Sequence, residues 1–376
     1  MVIAKENAPH LRRKASVTRM MADVLIALIP TLVFSAIVYP LQTLVFYLTS
    51  VAIMVGAEFV FVGLKNMMPA DGQKHSFKER FIYAYKGKFN QNNVLTAGIS
   101  AVIFTLIMPA GAPIYAVIIG ALAGIILGKL VFGGLGSNIF NPAAVGMLFA
   151  KVCFGSQYQA NVKTWFYTVP DAVAGATPLG GTSDAITNAV NNMQSYGFKA
   201  LMFGQVPGTL GEVYVITILV GAIYLLIRRS ADFRVMLPYL GLFGLLSLVA
   251  GLSIYAVDGA TNPFRFALYY LLTGGVLFGG VFMLTDPVTS PINSPSRIIY
   301  AMVAAVSTIF IRLFAALPEG VGFSILIANM IAVVLDHYEW SNPRYTWKKF
   351  LAMGLLVVIP ALVIFFAIKF GGIYHA

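Results

Sequence analysis

Charge is too scarce in this chain for most of its surface to face water. Of its 376 residues 59% are hydrophobic and 10% charged, whereas an ordinary soluble domain is about 25% charged. The expected fold class is therefore an all-α polytopic membrane protein. A soluble enzyme, a nucleic-acid reader and a disordered tail are excluded. The net charge of +11 does not argue for nucleic acid, because basic residues of membrane proteins collect on cytoplasmic loops for topological reasons.

A spanning helix needs about 20 apolar residues. Stretches that approach this length lie at 22–39, 43–64, 94–108, 113–131, 140–154, 213–227, 235–256, 267–284, 298–316, 321–335 and 351–370, which predicts 10–11 transmembrane helices. The first is not a cleavable signal peptide, since no small-residue cleavage site follows it and a second span comes at once. With the N-terminus inside, nineteen of the 25 Lys and Arg fall on inner segments. They include Lys5 to Arg19, six residues from Lys65 to Lys88, Arg228, Arg229, Arg234, and Arg344 to Lys349. The outer segments hold Lys163, Lys199, Arg265 and Lys369. A bias this large fixes the expected orientation.

The chain then divides into a cytoplasmic N-terminal segment (1–21), a first helical half (22–154), a long extracytoplasmic loop (155–212), a second half (213–335) and a C-terminal segment with an extra span (336–376). The loop is too long for a simple connector, and loops of this length are usually functional or disordered. Tyr158, Trp165, Phe166 and Tyr167 favour partial order. Five spans before the loop and five after it would reverse one half relative to the other, the inverted-repeat plan of many transporters.

Scarce residues bound the chemistry. Cys153 is the only cysteine, so this chain alone can hold neither a disulfide nor an iron–sulfur cluster, which takes about four thiolates. His10, His75, His337 and His375 all lie outside the apolar runs, which excludes haem between two intramembrane histidines. No residues are expected to hold a metal. No Walker A motif is present, and Gly133–Asn138 follows an apolar helix rather than a strand, which speaks against a dinucleotide fingerprint.

Two breaks interrupt apolar sequence. Asn141 can cap a helix whose first residue is Pro142, leaving free N–H groups as an anion- or carbonyl-binding end. Thr285-Asp286-Pro287-Val288-Thr289-Ser290-Pro291 cannot continue a lipid-facing helix. It is either a surface turn or a polar cofactor or ion site, because irregular backbone at membrane depth must be buried or line a cavity. Asp23, Glu58, Lys129, Asp286 and Arg312 are ionisable residues in or near spans. Glu58 sits deep in an apolar run, and such a residue is either functional or part of an ion pair between spans. Asn141, Pro142, Thr285, Asp286 and Glu58 are the candidates for a second flavin or an ion site.

In the outer loop, Asp171-Ala172-Val173-Ala174-Gly175-Ala176-Thr177-Pro178-Leu179 closely resembles the segment at which FMN is attached through its phosphate to a threonine hydroxyl. Asp171, Gly175, Ala176 and Thr177 match that pattern, and Ala174 stands where it has Ser or Thr. Ala8 to Lys14, Gly133–Gly146 and Thr285–Pro291 extend the likeness to roughly residues 8–340. The chain thus resembles the membrane subunit designated D of the Rnf-type ion-translocating ferredoxin:NAD oxidoreductase complex. The sister family is the membrane subunit designated B of the sodium-pumping NADH:quinone oxidoreductase, which usually carries a longer N-terminal extension.

The resemblance implies a membrane electron-transfer subunit that is active only within its complex, coupling electron flow to Na+ or H+ translocation. It implies covalent FMN on Thr177, noncovalent riboflavin in the membrane, iron–sulfur and flavin partner subunits, and a flavin transferase for maturation. That transferase works outside the cytoplasm, in agreement with the loop placement drawn from charge. The membrane implied is the cytoplasmic (inner) membrane of a bacterium or archaeon. Two rivals stand beside this reading: the quinone-reducing sister, and a urea- or ammonium-channel-like transporter.

Overall fold

The computed structural model describes residues 17–67, 77–86, 88–158, 185–206, 208–315, 320–337, 340 and 342–371. Among them the chain is helical throughout, with one isolated bridge between Pro109 and Thr209. In chain order the helices are α1 Val17–Val38, α2 Pro40–Asn66, α3 Phe77–Tyr85, α4 Gln91–Ile107, α5 Ile114–Ile125, α6 Pro142–Tyr158, α7 Ala185–Ser195 and α8 Phe198–Met202. They continue as α9 Val215–Arg228, α10 Phe233–Asp258, α11 Pro263–Leu272, α12 Val276–Phe278, α13 Ser294–Phe314, α14 Gly320–Leu335 and α15 Trp347–Phe370. One-turn π-helices extend α5 over Ile126–Leu130 and α12 over Gly279–Met283. The protein is an all-α polytopic membrane protein.

Each expected span coincides with a helical segment. Five of these helices are long and apolar enough to cross a membrane alone (α1, α2, α10, α13 and α15), and the pair α11 and α12, bent by 59°, makes a sixth. The five others are apolar but at most 17 residues long, about 26 Å at 1.5 Å per residue. The stretch at 267–284 differs from its expected form: it is not one helix. Thr273-Gly274-Gly275 breaks it, with φ of 63° and 74° at the two glycines, values that cost other residues heavily.

Local chemistry sets the helix ends. Asp232 accepts from the Arg234 N–H at 2.9 Å and starts α10, and Gly259 at φ 65° stops it. Asn262 accepts from the N–H groups of Phe264 (3.1 Å) and Arg265 (3.2 Å) ahead of Pro263. At the break in α11–α12, the buried Arg312 of α13 donates to the carbonyls of Tyr270 (2.9 Å), Thr273 (3.0 Å) and Gly274.

The halves share an order of packing. In the first, α2 lies on α4 and α5 on α6; in the second, α10 lies on α11 and α13 on α14. Small residues let these backbones approach closely, as membrane helices require in the absence of a hydrophobic drive. Gly120, Gly124 and Gly128 form one edge of α5. A Cβ on Gly124 would lie 2.6 Å from the Pro142 carbonyl oxygen, and one on Gly128 would lie 2.7 Å from the Pro142 Cα. Gly251 serves α10 in the same way against Pro263.

The halves are joined through α1 and α9. Asp23, buried on α1, accepts from Tyr224 Oη (3.2 Å), Arg228 Nε (3.2 Å), Arg228 Nη2 (3.1 Å) and Ser230 Oγ (2.7 Å). Within the long central segment, α7 buries Ile186, Ala189, Val190 and Met193, one helical stripe, and packs on α11 and α13. The segment's last residues turn back into the fold, where Leu210 N–H donates to the Met108 carbonyl (3.0 Å) and Gly211 N–H to that of Leu106 (2.7 Å).

Gly124→Val is expected to destabilise the α5–α6 seam by at least about 2 kcal/mol through overpacking, lowering the thermal midpoint of the detergent-solubilised protein. Gly56→Ala, where an added Cβ meets nothing within 4 Å, should leave that midpoint unchanged.

Candidate functional site

The two breaks foreseen in the sequence meet. Asn141 performs the capping role its position suggested: its Oδ1 accepts from the N–H groups of Ala143 (3.0 Å) and Ala144 (3.4 Å) at the start of α6. Its Nδ2 donates to the carbonyl of Met283 at 3.3 Å, 142 residues away in sequence. That carbonyl ends the π turn after α12, two residues before Thr285. A single amide thus closes one helix start and one helix end.

Around this junction lies a cavity of about 70 Å³ that opens through a wider mouth. Asn138, Asn141 and Pro142 line one side, Thr285 to Val288 another. Thr96 and Ser100 of α4, Lys129, Ser230 and apolar residues of α1 and α9 complete the walls. The polar groups converge on one region and the rest is apolar, including Val24, Ile99, Ile103, Val281 and Phe282.

Lys129 reaches the cavity from the π turn after α5. Such a turn inserts one extra residue per helical turn and re-aims the side chains around it. The Lys129 ammonium stands 3.0 Å from Glu58 Oε2 and donates to Thr96 Oγ1 at 2.9 Å. Asn93 Nδ2 donates to the other Glu58 oxygen at 3.0 Å. Both charged side chains are almost fully buried, at 3% and 1% exposure. Glu58 is therefore the carboxylate of an inter-helix ion pair behind the cavity wall, and Lys129 is its cavity-facing member.

Asp286 occupies a tight turn. Its Oδ1 accepts from the Val288 N–H and its Oδ2 from Thr289 Oγ1, both at 3.3 Å. The Thr285 hydroxyl is turned back onto the Val281 carbonyl at 2.6 Å. The stretch 285–291 is thus a turn whose inner side is cavity wall. It is held from outside by Arg297 Nε on the Pro291 carbonyl (2.7 Å) and by Asp336 Oδ1 on the Ile292 N–H (3.0 Å).

Four of the five second-site candidates (Asn141, Pro142, Thr285 and Asp286) line one cavity, and Glu58 buttresses it. Sequence reasoning had Lys129 only as an ionisable residue near a span, and it missed Thr96, Ser100 and Asn138 as lining residues. The π turn that brings Lys129 inward leaves no mark in hydropathy. Thr177, with Asp171, Gly175 and Ala176, lies outside the described residues. Among the described residues no group of three His, Cys, Asp or Glu is placed to hold a metal ion.

Comparison with known proteins matches residues 4–344 to the NQR2, RnfD, RnfE family. The Na(+)-translocating NADH-quinone reductase of Chromohalobacter salexigens has a subunit, designated B, that is 36% identical over 243 residues, 64% of this chain and 57% of that one. Its counterpart from Ectopseudomonas mendocina is 32% identical over 293 residues, 74% of this chain and 64% of that one. The proton-translocating ferredoxin:NAD(+) oxidoreductase complex of Clostridium ljungdahlii has a subunit, designated D, that is 28% identical over 343 residues, 88% of this chain and 93% of that one. The chain thus spans 57–64% of the length of these two quinone-reductase relatives.

Lys129→Met should leave the Glu58 carboxylate buried without its cation, at a cost of about 3–5 kcal/mol. The double variant with Glu58→Gln should recover at least half of that loss. Thermal midpoints of the four proteins in one detergent, treated as a double-mutant cycle, measure it.

Proposed function

Because the chain belongs to the NQR2, RnfD, RnfE family, we propose that it is the membrane electron-transfer subunit of an ion-translocating ferredoxin:NAD oxidoreductase complex. The near end-to-end alignment with the ferredoxin:NAD(+) oxidoreductase relative supports this side of the family over the quinone-reducing one. The Asp171 to Thr177 motif supports covalent FMN on the Thr177 hydroxyl. The observation that carries a second flavin site is the meeting of two helix breaks, 142 residues apart, in one cavity.

The cavity supports noncovalent riboflavin through the chemistry of its lining. Its apolar walls match a ring system with a hydrocarbon edge, and its cluster of amide, hydroxyl and ammonium groups matches the ring's polar edge. Flavin bound there would supply one- and two-electron transfer. The protein's part is placement and electrostatics. Asn141 ties together the two elements that form the floor. Lys129 presents a positive group whose charge is balanced by Glu58, so an electron-rich ring edge is favoured without a net buried charge. Ile99, Ile103 and Phe282 exclude water from the deep side.

The charge bias along the chain supports an inside N-terminus in a bacterial or archaeal cytoplasmic membrane. In that orientation the two halves are inverted, the cavity lies among the inner ends of α1, α4 and α9, and Thr177 lies on the outer side. One chain then holds a flavin attachment point towards each face, as an electron conduit needs and a solute channel does not. Iron–sulfur chemistry falls to partner subunits, since this chain has one cysteine. The coupled ion is Na+ or H+.

Expressed with its flavin transferase, the wild-type protein should give a flavin-fluorescent band after denaturing electrophoresis, and the peptide containing Thr177 should carry the mass of an FMN phosphoester. Thr177→Ala should lose all of that fluorescence while still inserting in the membrane. A colourless, unmodified wild-type chain from such cells overturns the proposal.

A further inference from the structure

The connection between α2 and α4 carries a helix that the site does not use. α3 packs on α2 through aromatic rings: Tyr85 stacks on Phe59 with centroids 4.3 Å apart and planes 11° from parallel, and Phe89 meets Phe59 edge-on at 5.4 Å. Tyr85 Oη donates to the Phe59 carbonyl at 3.4 Å. Gly63 makes room, since a Cβ there would lie 2.1 Å from Tyr85 Oη. Phe59 sits seven residues before the end of α2, about 10 Å down the helix axis. The C-terminal end of α3 therefore reaches the depth at which α2 enters the apolar layer, and α3 cannot stand clear of the membrane in solvent.

The rest of α3 suits that depth. Lys78, Ile82 and, one residue past the helix end, Lys86 follow a spacing of four and are exposed. Phe81, Ile82 and Tyr83 are 46–49% exposed, an arrangement that water disfavours and the headgroup–acyl boundary accepts. Lys88 Nζ lies 3.7 Å from the centre of the Tyr83 ring. Arg80 Nε is buried and has no hydrogen-bond partner among the described residues. Glu79 is the one acidic residue of α3.

We propose that α3 is an interfacial helix that binds the headgroups of anionic phospholipids at the membrane surface where α2 ends. Lys78 and Lys86 lie along one stripe with Ile82, and Phe81 and Tyr83 are exposed on either side of it, so basic and apolar side chains are presented together, the composition that anionic membrane surfaces recruit. A soluble protein partner would not need the apolar members at membrane depth. The inference rests on the membrane fold and is independent of the flavin reading.

The test is made on the purified full chain in a neutral detergent, titrated with phosphatidylglycerol or phosphatidylcholine and read by native mass spectrometry. Wild type should bind phosphatidylglycerol at least tenfold more tightly than phosphatidylcholine, with the preference shrinking at high salt. Lys78→Gln combined with Lys86→Gln, both at exposed positions, should lower phosphatidylglycerol affinity about 25-fold, at about fivefold per basic side chain, and leave phosphatidylcholine binding unchanged. A thermal melt of each variant without lipid, unchanged from wild type, confirms that the fold is intact. Equal affinity for the two lipids in wild type, or full phosphatidylglycerol affinity in the folded double variant, overturns the proposal.

Discussion

A bilayer's hydrocarbon offers no hydrogen bond to a backbone group that leaves a helix, yet this chain leaves its helices repeatedly within or beside apolar sequence, and three of these openings surround the candidate site and the break in α11–α12. Each of the three is closed by polar side chains, most of them from a distant part of the chain. Asn141 takes the Met283 carbonyl. Arg312 takes three carbonyls around Thr273–Gly274. Arg297 and Asp336 hold the turn at 285–292. These bonds satisfy backbone groups that lipid could not, which is what irregular backbone at membrane depth requires. Removing the Asn141 or Arg312 side chain would leave a buried carbonyl unpaired, at a cost of about 1–3 kcal/mol.

The position of the cavity follows from those closures. Irregular backbone at depth must line something, and two of the three openings line the same space. Close packing sets its walls. The glycine edge of α5 draws α6 in until Pro142 touches it, which places Asn141 opposite the end of the second π turn. On the other side Gly221 of α9 lies so close to α1 that a Cβ would sit 2.7 Å from the Ala27 carbonyl oxygen and 2.8 Å from Phe282. The Asp23 cluster locks that contact at its end. The Lys129–Glu58 pair adds a local field without net charge. A lone buried ammonium would be prohibitively costly, and its partner carboxylate, itself bonded by Asn93, makes it sustainable.

Hydropathy and the positions of Pro and Asn made much of this legible. All eleven apolar stretches became helical segments, since burial against lipid leaves the backbone no other choice. Asn141–Pro142 could be read because a cap and a first-turn proline act locally. The break at Thr273–Gly275 escaped, because two glycines in an apolar run read equally well as helix packing, and the arginine that stabilises the break lies in another helix. Glu58 and Lys129 each stood out as ionisable, but their pairing joins α2 to the turn after α5 and cannot be read from either neighbourhood. The glycine edge at 120, 124 and 128 was not read from the sequence, because its meaning depends on which helix faces it. Thr177 was the reverse case: its motif is legible in sequence alone.

The last helix shows where this architecture stops making demands. α15 lies beyond the matched residues 4–344 and is the least buried of the long helices, with 17% of its apolar core enclosed. It packs on α10 and α13 and contributes no residue to the cavity wall. Its starting end is held by Lys349, buried and bonded to the Asn342 carbonyl, and Pro360, Ile364 and Ile368 are buried further along it. A helix added this way covers the outer side of α10 and α13 without touching the closures at 141, 273–275 or 285–292. Its sequence is free to answer to lipid or to neighbouring subunits, while the inner ten segments are bound to one another by bonds that lipid cannot replace.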